Sequence, residues 1–538
     1  MGALRGWLVA FGTALLLGAC PRPTPISERH RIDIDESHAD MPLTVRLLVL
    51  ADNQQHHLYG EPVWIQSGLP DRLVRTAVRS PQLDLFGPDV LAWGLRANRR
   101  APAVHLGDAC NLSCTGELDR FLQIIDDHDR GWFMAPGNHD GFYFGNEGIE
   151  PEGDWARVCR GAGQPLTKDA FVRRYLEALA AQDLPGTSAF RHEADLGARR
   201  GQWRYLGDER ALLRRVAWSI DPALPHRSFV LQMLDIGFPT ATVPTFVLLL
   251  DSASYPFAPE LFPLARNAGM VGHLVEEQLD IAERWLDDVD DAGAPIVLMA
   301  HHPYDDLKRP AKRAVDRFRR KHRVLTYVSA HTHDGGFRVH PGDDESWVEL
   351  NVGSMVDWPI EYRTLQLFSS RESEERVLLR SPLFRIGQMW RDASATDVPR
   401  CEEPWKAVGN HYVSYGELGG LDAHAMKRRL MESLLETFDH LLQAVPSHPD
   451  NPVWPDGTEG DEAVRARIAQ ALEEGDVGPM VALARQLDDF DRARQAADPR
   501  QQADFRLCQA MWASQDDQVG ARRPRVDDWY IQLPRNPE

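Results

Sequence analysis

Short apolar runs that end abruptly in polar residues recur from residue 44 onward. The runs are Val45–Leu50, Ala103–Leu106, Trp132–Ala135, Phe246–Leu250, Ile296–Ala300 and Val324–Ser329. Runs of about 4 to 8 apolar residues without alternation are typical of strands that are buried on both faces. Because helical patterns lie between the runs, the sequence predicts a layered α/β fold in which the polar residues after the strands share one edge.

The clearest helical pattern covers residues 273–289. Its apolar positions recur at i, i+4 and i+8, and acidic residues occupy its first turns, where they stabilise a helix N-terminus. The apolar positions are Ile281, Ala282, Trp285, Leu286 and Val289. The pattern predicts a helix that packs one face against the sheet.

Two segments break the alternation of strands and helices. The stretch from about 141 to 245 is too long for a simple connection, so we predict an inserted cap there. Between Arg157 and Arg227 it carries thirteen Lys/Arg and eight Asp/Glu, a local excess of positive charge. Helical periodicity without convincing strand runs predicts a helical accessory domain over 401–538, reached through a connection at 371–400.

The first 19 residues have the features of a signal peptide: one positive charge, an apolar run and small residues before Cys20. Residues 17–20 resemble the bacterial lipobox, which implies a lipid on Cys20 and a place in the cell envelope, on its periplasmic or surface face. An ordinary signal with an accidental Cys is the alternative. The proline-rich start of residues 20–40 suits an extended tether between the lipid and the folded domain.

Six cysteines in 538 residues are too few for a disulfide scaffold. Without Cys20, an exported chain has up to two disulfides to form, and the pairing stays open. The candidates are Cys110, Cys114 and Cys159 in one region, and Cys401 and Cys508 in another.

The formal net charge of −20 argues against a general polyanion binder, so nucleic acid is not an expected partner. The sequence does not indicate an oligomeric state.

The polar residues just after the apolar runs form a set of possible metal ligands. They are Asp52, Gln54, Asp108, Asn138, His139, His301, His331 and His333. Carboxylate, amide and imidazole groups together suit Zn, Mn or Fe, and the absence of Cys argues against a thiolate site. The set is large enough for two ions, which together activate water for displacement at phosphorus.

In order along the chain, these residues form five short blocks. The blocks are Asp52-x-Gln54, Gly107-Asp108, Gly137-Asn138-His139-Asp140, His301-x-Pro303 and Ala330-His331-x-His333. Together they resemble the signature of the calcineurin-like metallophosphoesterase superfamily, over residues 44 to about 370 without the insert. The resemblance implies a core domain at 41–370 with two packed mixed β-sheets flanked by helices, and hydrolysis of phosphomonoesters or phosphodiesters.

The resemblance also implies a role for each residue of the blocks. The first of two divalent or trivalent ions would be held by Asp52, Gln54 and His333, the second by Asn138, His301 and His331, with Asp108 between them. His139 would contact the phosphate and protonate the leaving oxygen, and Asp140 would orient the ring of His139. The nucleophile would be a hydroxide that bridges the metals.

Several positions leave alternatives open. Gln54 stands where the family usually has His, so His56 or His57 could complete the first metal site or face the substrate. His302 competes with its neighbour His301 as a ligand, and the position two before Pro303 favours His301. In the basic insert, Arg199 and Arg200 are candidate phosphate contacts.

Two other functions compete with a phosphoesterase. A surface lipoprotein on a degenerate phosphoesterase scaffold would bind a ligand or partner without turnover. Gln54 favours this alternative, whereas the retention of His139 speaks against it. A nuclease is disfavoured by the negative net charge.

Overall fold

A computed structural model of the 538-residue chain describes residues 43–55, 88, 90–92, 94–141, 154–207, 211–237, 244–254, 271–288, 294–333, 335–341, 347–356, 361–369, 377–381, 383–385 and 530–532. The predicted signal peptide, Cys20, the tether, His56, His57 and almost all of the predicted helical domain lie outside these residues. Within the described ranges, no helix is both long and apolar enough to cross a membrane.

Two mixed β-sheets flanked by helices form the fold. The strands of the first sheet are β1 (Leu43–Leu50), β2 (Ala103–His105), β3 (Trp132–Met134), β12 (Glu361–Ser369), β13 (Val377–Arg380), β14 (Leu383–Arg385) and β15 (Tyr530–Gln532). Their order is β15-β13-β12-β1-β2-β3, and β14 pairs with β12. In this sheet β1, β2 and β3 run parallel, whereas β12 is antiparallel to β1.

The second sheet has the order β10-β11-β9-β8-β7-β6-β5-β4. Its strands are β4 (Arg200–Arg204), β5 (Leu213–Ser219), β6 (Phe229–Asp235), β7 (Phe246–Leu249), β8 (Ile296–Met299), β9 (Val324–Ser329), β10 (Gly336–His340) and β11 (Trp347–Asn351). Strands β7, β8, β9 and β11 run parallel, and β4, β5, β6 and β10 pair antiparallel with their neighbours.

The helices lie between these strands in the sequence. They are α1 (Thr115–Ile125), α2 (Asp154–Val158), α3 (Lys168–Ala181), α4 (Thr187–Glu193), α5 (Glu276–Asp287) and α6 (Arg309–Lys321), with single 3-10 turns at Pro225–Arg227 and Tyr304–Asp306.

All six apolar runs form strands in the structure, as the sequence predicts. They divide equally between the sheets, as β1, β2 and β3 in the first and β7, β8 and β9 in the second. The division of the runs between two sheets was not predictable from the pattern alone, because each run is buried on both faces in either sheet.

The burial of both faces is visible in β7. Val247 and Leu249 join the core that lies between the two sheets, whereas Phe246 and Leu248 join a second core under α5 and α6. Successive side chains of a strand point to opposite faces, so a strand with a sheet on one side and helices on the other is apolar throughout.

Helix α5 is shorter than the predicted helix at 273–289. It begins at Glu276 because the main-chain N–H of His273 donates to Ser252 O at 2.9 Å, which places His273 in a β-bridge. The predicted apolar stripe is buried at Ile281, Ala282 and Trp285.

Part of segment 141–245, where a cap is predicted, belongs to the second sheet. Its strands β4, β5 and β6 extend the second sheet, since β6 pairs antiparallel with β7. Val230 and Leu234 of β6 lie in the core between the sheets, and Leu231 and Met233 lie in the outer core. The segment is long because it builds three of the eight strands of the second sheet.

Helix α3 joins the outer edge of β3 to the second sheet. The Met134 N–H donates to Tyr175 Oη at 2.9 Å, and Tyr175 donates to Gln232 Oε1 on β6 at 2.6 Å. Gln232 Nε2 completes the ring of bonds by donating to Met134 O at 2.8 Å. Gln182 forms a similar pair with the backbone of Trp132. Side chains therefore satisfy the open edge of β3.

Residues 530–532 form β15, which is antiparallel to β13 in the first sheet. This strand corrects the purely helical prediction for 401–538 at these three residues. A strand of three residues is too short to show a period in the sequence.

Candidate metal centre

The polar residues after five of the six predicted strands meet where the two sheets adjoin. Backbone bonds align the turns after β1 and β2: Asp52 N donates to Gly107 O at 3.0 Å, and Gln54 N donates to Asp108 O at 2.9 Å. Between the sheets, His331 N donates to Asp52 Oδ2 at 3.1 Å. These turns place the side chains of the predicted blocks side by side.

The backbone at this edge is held in an unusual conformation. The described non-glycine residues with positive φ are Asp52 (51°), Gln54 (40°), Asp108 (57°), Ser113 (56°), His331 (69°) and His333 (54°). All except Ser113 belong to the predicted ligand set. Left-handed backbone is costly for such residues and persists where the surrounding structure enforces it, which is typical of functional sites.

Two glycines allow the turns to approach one another. A Cβ at Gly107, whose φ is +93°, would lie 2.5 Å from Gly137 N and 2.9 Å from His301 Nδ1. A Cβ at Gly137 would lie 2.2 Å from Asp108 Oδ1. These distances are shorter than any tolerated contact, so the glycines of the second and third blocks are needed for the close approach.

Two groups of side chains in the described residues could hold a metal ion. They are Asp52 with Asp108 and His301, and His301 with His302 and His331; in each group the ligand atoms lie within 4.8 Å of one another. His301 Nε2 is 3.4 Å from Asp108 Oδ2 and 3.1 Å from His331 Nδ1. His333 Nε2 is 3.5 Å from Asp52 Oδ1.

The hydrogen bonding of His301 shows why a cation fits here. Its Nδ1 lies 2.7 Å from Leu106 O, which only accepts, so Nδ1 carries the ring proton. Burial lowers the pKa of His301, which keeps the ring neutral and leaves a lone pair on Nε2. That lone pair faces Asn138 Oδ1 at 2.9 Å and Asp108 Oδ2 at 3.4 Å. Three electron-rich atoms that converge in a buried place suit a positive ion.

The carboxylates are crowded as well. Burial, reinforced by the charges of Asp52 and Asp140, raises the pKa of Asp108 well above its usual range. Burial alone would raise the pKa of Asp52 too, but His333 and His301 hold that pKa below its usual value. The pKa of His331 lies well below its usual value because the ring is buried beside His302 and His301. A bound cation would favour the deprotonated form of each group.

The structure does not support the predicted role of Asp140. Its carboxylate accepts three main-chain N–H bonds, from Asp108 at 2.8 Å, Gly137 at 2.8 Å and Cys110 at 3.1 Å. The ring of His139 is oriented by a main-chain carbonyl instead, since His139 Nδ1 lies 2.6 Å from Asn111 O. Asp140 therefore fixes the turns after β2 and β3 rather than the His139 ring.

His139 lies at the rim of the cluster. Its Nε2 is 3.9 Å from Asp108 Oδ2, and its main-chain N–H donates to Asp108 Oδ1 at 2.8 Å. The other predicted ligand, Gln54, is buried in the turn after β1. His56 and His57, the alternatives to Gln54, lie outside the described residues.

Arg199 and Arg200 are not brought to this place. Arg200 begins β4, which is separated from β8 by β5, β6 and β7. Four strand spacings correspond to about 19 Å. The guanidinium of Arg200 is exposed and lies 3.5 Å from Glu277 of α5. The structure thus places Arg200 away from the cluster, and a contact of these arginines with the substrate stays a prediction.

Sequence reasoning missed a buried ion pair beside the cluster. Lys168 Nζ lies 2.9 Å from Asp251 Oδ1, and both side chains are fully buried. Asp251 follows β7 as the other polar residues follow their strands, and this signal was present in the sequence. Lys168 begins α3, where no pattern distinguishes it. Burial raises the pKa of Asp140, and the charge of Lys168 offsets part of that rise.

His302 is buried behind His301 and His331. Its ring centroid lies 4.9 Å from that of His301 and 4.6 Å from that of His331. Its Nδ1 lies 3.0 Å from Ser252 Oγ, and its main-chain N–H donates to the same oxygen at 3.0 Å. His301, in contrast, faces the carboxylates of the first sheet.

The disulfide pairing left open by the sequence is resolved for one region. Cys114 and Cys159 are bonded, and Cys110 is a free, buried thiol. Cys401 and Cys508 lie outside the described residues.

Comparisons with known proteins do not identify a family. No family model matches the sequence, and no curated protein matches it. One solved structure that matches is the crystal structure of 5′-nucleotidase from Candida albicans SC5314, with 11% identity and a TM-score of 0.26. The match covers 74% of this chain and 59% of that chain. At this TM-score the likeness carries no argument, and the site must be interpreted from its own geometry.

Proposed function

We propose that this chain is a metal-dependent phosphoester hydrolase of the calcineurin-like metallophosphoesterase superfamily. The observation that carries the proposal is the convergence of electron-rich atoms around His301 Nε2, with Asn138 Oδ1 at 2.9 Å and Asp108 Oδ2 at 3.4 Å. Carboxylate, amide and imidazole donors in this arrangement fit Zn, Mn or Fe.

Two ions would be shared among the predicted ligands. The first would take Asp52, Gln54 and His333, the second Asn138, His301 and His331, and Asp108 would serve both. When bound, such ions acidify water and neutralise the charge of a phosphoryl group during in-line displacement. The main-chain bonds to Asp52 and Asp108 hold the carboxylates in place for this purpose.

In this proposal His139 protonates the leaving oxygen. The carbonyl of Asn111 fixes the proton of His139 on Nδ1, so the ring can give up a second proton only from Nε2. Nε2 is the atom on the side of Asp108, at 3.9 Å.

The substrate is proposed as a phosphomonoester or a phosphodiester. A lipid anchor at Cys20 would place the enzyme on the bacterial cell envelope. The rival proposal is a lipoprotein that uses the same scaffold for binding without turnover, and the neutral ligand Gln54 favours it because an amide is a weaker donor than imidazole.

The test combines metal analysis with turnover. Full-length protein in detergent is assayed with p-nitrophenyl phosphate and bis-p-nitrophenyl phosphate in the presence of Mn²⁺ or Zn²⁺, and bound metal is measured by mass spectrometry. Asp108→Asn should lose metal and lower kcat by at least about 100-fold, more than the loss typical of an outer-shell partner. His139→Ala should keep its metal and lose most turnover.

Asp235→Asn is the matched control, because Asp235 is also a buried carboxylate but ends β6 at the opposite edge of the second sheet. Bound metal without turnover of either ester would favour the binding protein. Unchanged metal content in Asp108→Asn would overturn the proposed centre itself.

A further inference from the structure

Ser113 is the one described non-glycine residue with positive φ that no predicted block contains. Its φ is 56°, and it is fully buried two residues after Asn111. Left-handed backbone at a buried serine requires enforcement by its surroundings. The contacts of Ser113 indicate what this conformation serves.

The hydroxyl group of Ser113 holds the main chain on both sides of Asp140, directly after His139. It donates to His139 O, and it accepts from Gly141 N–H at 3.1 Å. From the same segment, Asn111 O lies 2.6 Å from His139 Nδ1. Residues 111–113 thus contact both the ring and the backbone of His139.

This segment is itself anchored to three other parts of the fold. Ser113 O accepts from Leu166 N–H at 2.7 Å. Glu117 Oε2 on α1 accepts from Leu112 N–H at 2.8 Å and from Cys114 N–H at 3.1 Å. The disulfide between Cys114 and Cys159 ties it to the residue that follows α2. The anchors are independent of the metal-ligand side chains.

We propose that Ser113 is a positioning residue for His139, and that the Cys114–Cys159 disulfide holds Ser113 in place for that task. The inference rests on the proposed role of His139 as proton donor. A carbonyl and a hydroxyl group take the place of the carboxylate that the sequence predicted as the partner of the ring. Small displacements of a catalytic group are costly, since an error of about 1 Å can lower the rate about 100-fold.

The main experiment separates the hydroxyl group from the backbone conformation. Ser113→Gly removes the hydroxyl group but suits a φ of 56°. Ser113→Thr keeps the hydroxyl group but puts a β-branched residue in left-handed backbone, which is strained. We expect Ser113→Gly to fold stably and to lower kcat about 10- to 100-fold with unchanged KM and metal content. Ser113→Thr should have a lower Tm and nearly wild-type kcat.

A purely structural role predicts the reverse order, in which kcat follows Tm. The control is Ser228→Ala, since Ser228 is a buried serine whose Oγ accepts from the Asp221 backbone at 2.9 Å. It should leave kcat unchanged. The double variant Cys114→Ser/Cys159→Ser should lower kcat by a smaller factor than Ser113→Gly, again with its metal retained.

A second measurement does not depend on turnover. The rate at which diethyl pyrocarbonate modifies His139, mapped by mass spectrometry, should rise severalfold in Ser113→Gly because the ring is less restrained. If wild-type protein hydrolyses neither ester but this rate still rises, the proposed function fails and the positioning role stands. Wild-type kcat or an unchanged modification rate in Ser113→Gly overturns the positioning role whatever the activity of the chain.

Discussion

The two sheets contribute different donor atoms to the candidate metal centre. The first sheet supplies oxygen atoms, from Asp52, Gln54, Asp108 and Asn138. The second supplies imidazole nitrogens, from His301, His331 and His333. Among the proposed ligands, neither sheet supplies both oxygen and nitrogen donors, so mixed coordination would require both sheets packed together.

In the proposed centre this difference would couple metal binding to folding. The first sheet is the oxygen half of the proposed centre, and the second sheet is the nitrogen half. In the oxygen half, burial raises the pKa of Asp108, and the nearby charge of Asp52 raises it further. The nitrogen half brings His301, whose Nδ1 lies 2.7 Å from Leu106 O and whose Nε2 lies 2.9 Å from Asn138 Oδ1, so both contacts cross between the sheets. An ion would satisfy both halves at once, and its binding free energy would then stabilise the packed sheets.

The largest expected effect comes from two single variants, each of which removes one donor from one half of the proposed centre. Asn138→Ala and His331→Ala should each remove about one ion of two, because both residues would hold the same ion. Turnover should fall by more than the roughly 10- to 100-fold that is typical of outer-shell partners. Metal content and kcat are measured on the full-length chain.

His128→Gln is the control for these variants, since His128 is a buried histidine that bonds to Ala101 O away from the centre. If one of the two variants keeps its full metal content while the other loses an ion, the halves do not form a shared site.

A smaller effect is expected at the contact that joins the sheets away from the ligands. Tyr175→Phe keeps the ring but leaves the Met134 N–H and Gln232 Oε1 without their partner, which costs about 2 kcal/mol. Urea unfolding of metal-free protein measures the loss. Tyr304→Phe is the control, because its hydroxyl group bonds to Asp316 in a partly exposed place. A loss in Tyr175→Phe no larger than in Tyr304→Phe would show that this bridge does not stabilise the sheet packing.

The smallest effect concerns the imidazole that belongs to the oxygen half. Burial lowers the pKa of His105 to about 3, and the neutral ring accepts from Gly107 N–H and contacts Asn53 Oδ1 at 2.5 Å. In the unfolded chain, His105 takes up a proton near pH 6.5. The stability that the neutral, buried ring contributes is therefore complete above that pH and is lost as the pH falls toward 3.

Between pH 7 and 5.5, the unfolding free energy of the wild type should therefore fall by about 1 kcal/mol more than that of His105→Gln. The comparison is made by urea unfolding of metal-free protein at both pH values. Parallel curves for the variant and the wild type would mean that His105 is not the group that takes up the proton.

The residues explain why some features were predictable. The strands were predictable because they are apolar on both faces. In β7, successive side chains point into two different apolar cores, which gives a continuous apolar run in the sequence. The convergence of Asp52, Asp108 and Asn138 followed from the shared edge of the parallel strands β1, β2 and β3. Their meeting with His301 of the second sheet was implied only by the family resemblance. The partner of His139 was not predictable, because a main-chain carbonyl such as Asn111 O leaves no residue type to recognise. The left-handed backbone of Ser113 left no sequence signal either.

The pairing of β15 with β13 has a consequence for synthesis of the chain. Residues 386–529 separate β14 from β15, and at about 5 to 20 residues per second they take roughly 7 to 30 s to translate. During that interval the described part of the first sheet, which carries Asp52, lacks its strand β15. The pairing of β13 with β15 therefore joins segments that are synthesised far apart in time, and the first sheet reaches its described strand order only after residue 532 has been made.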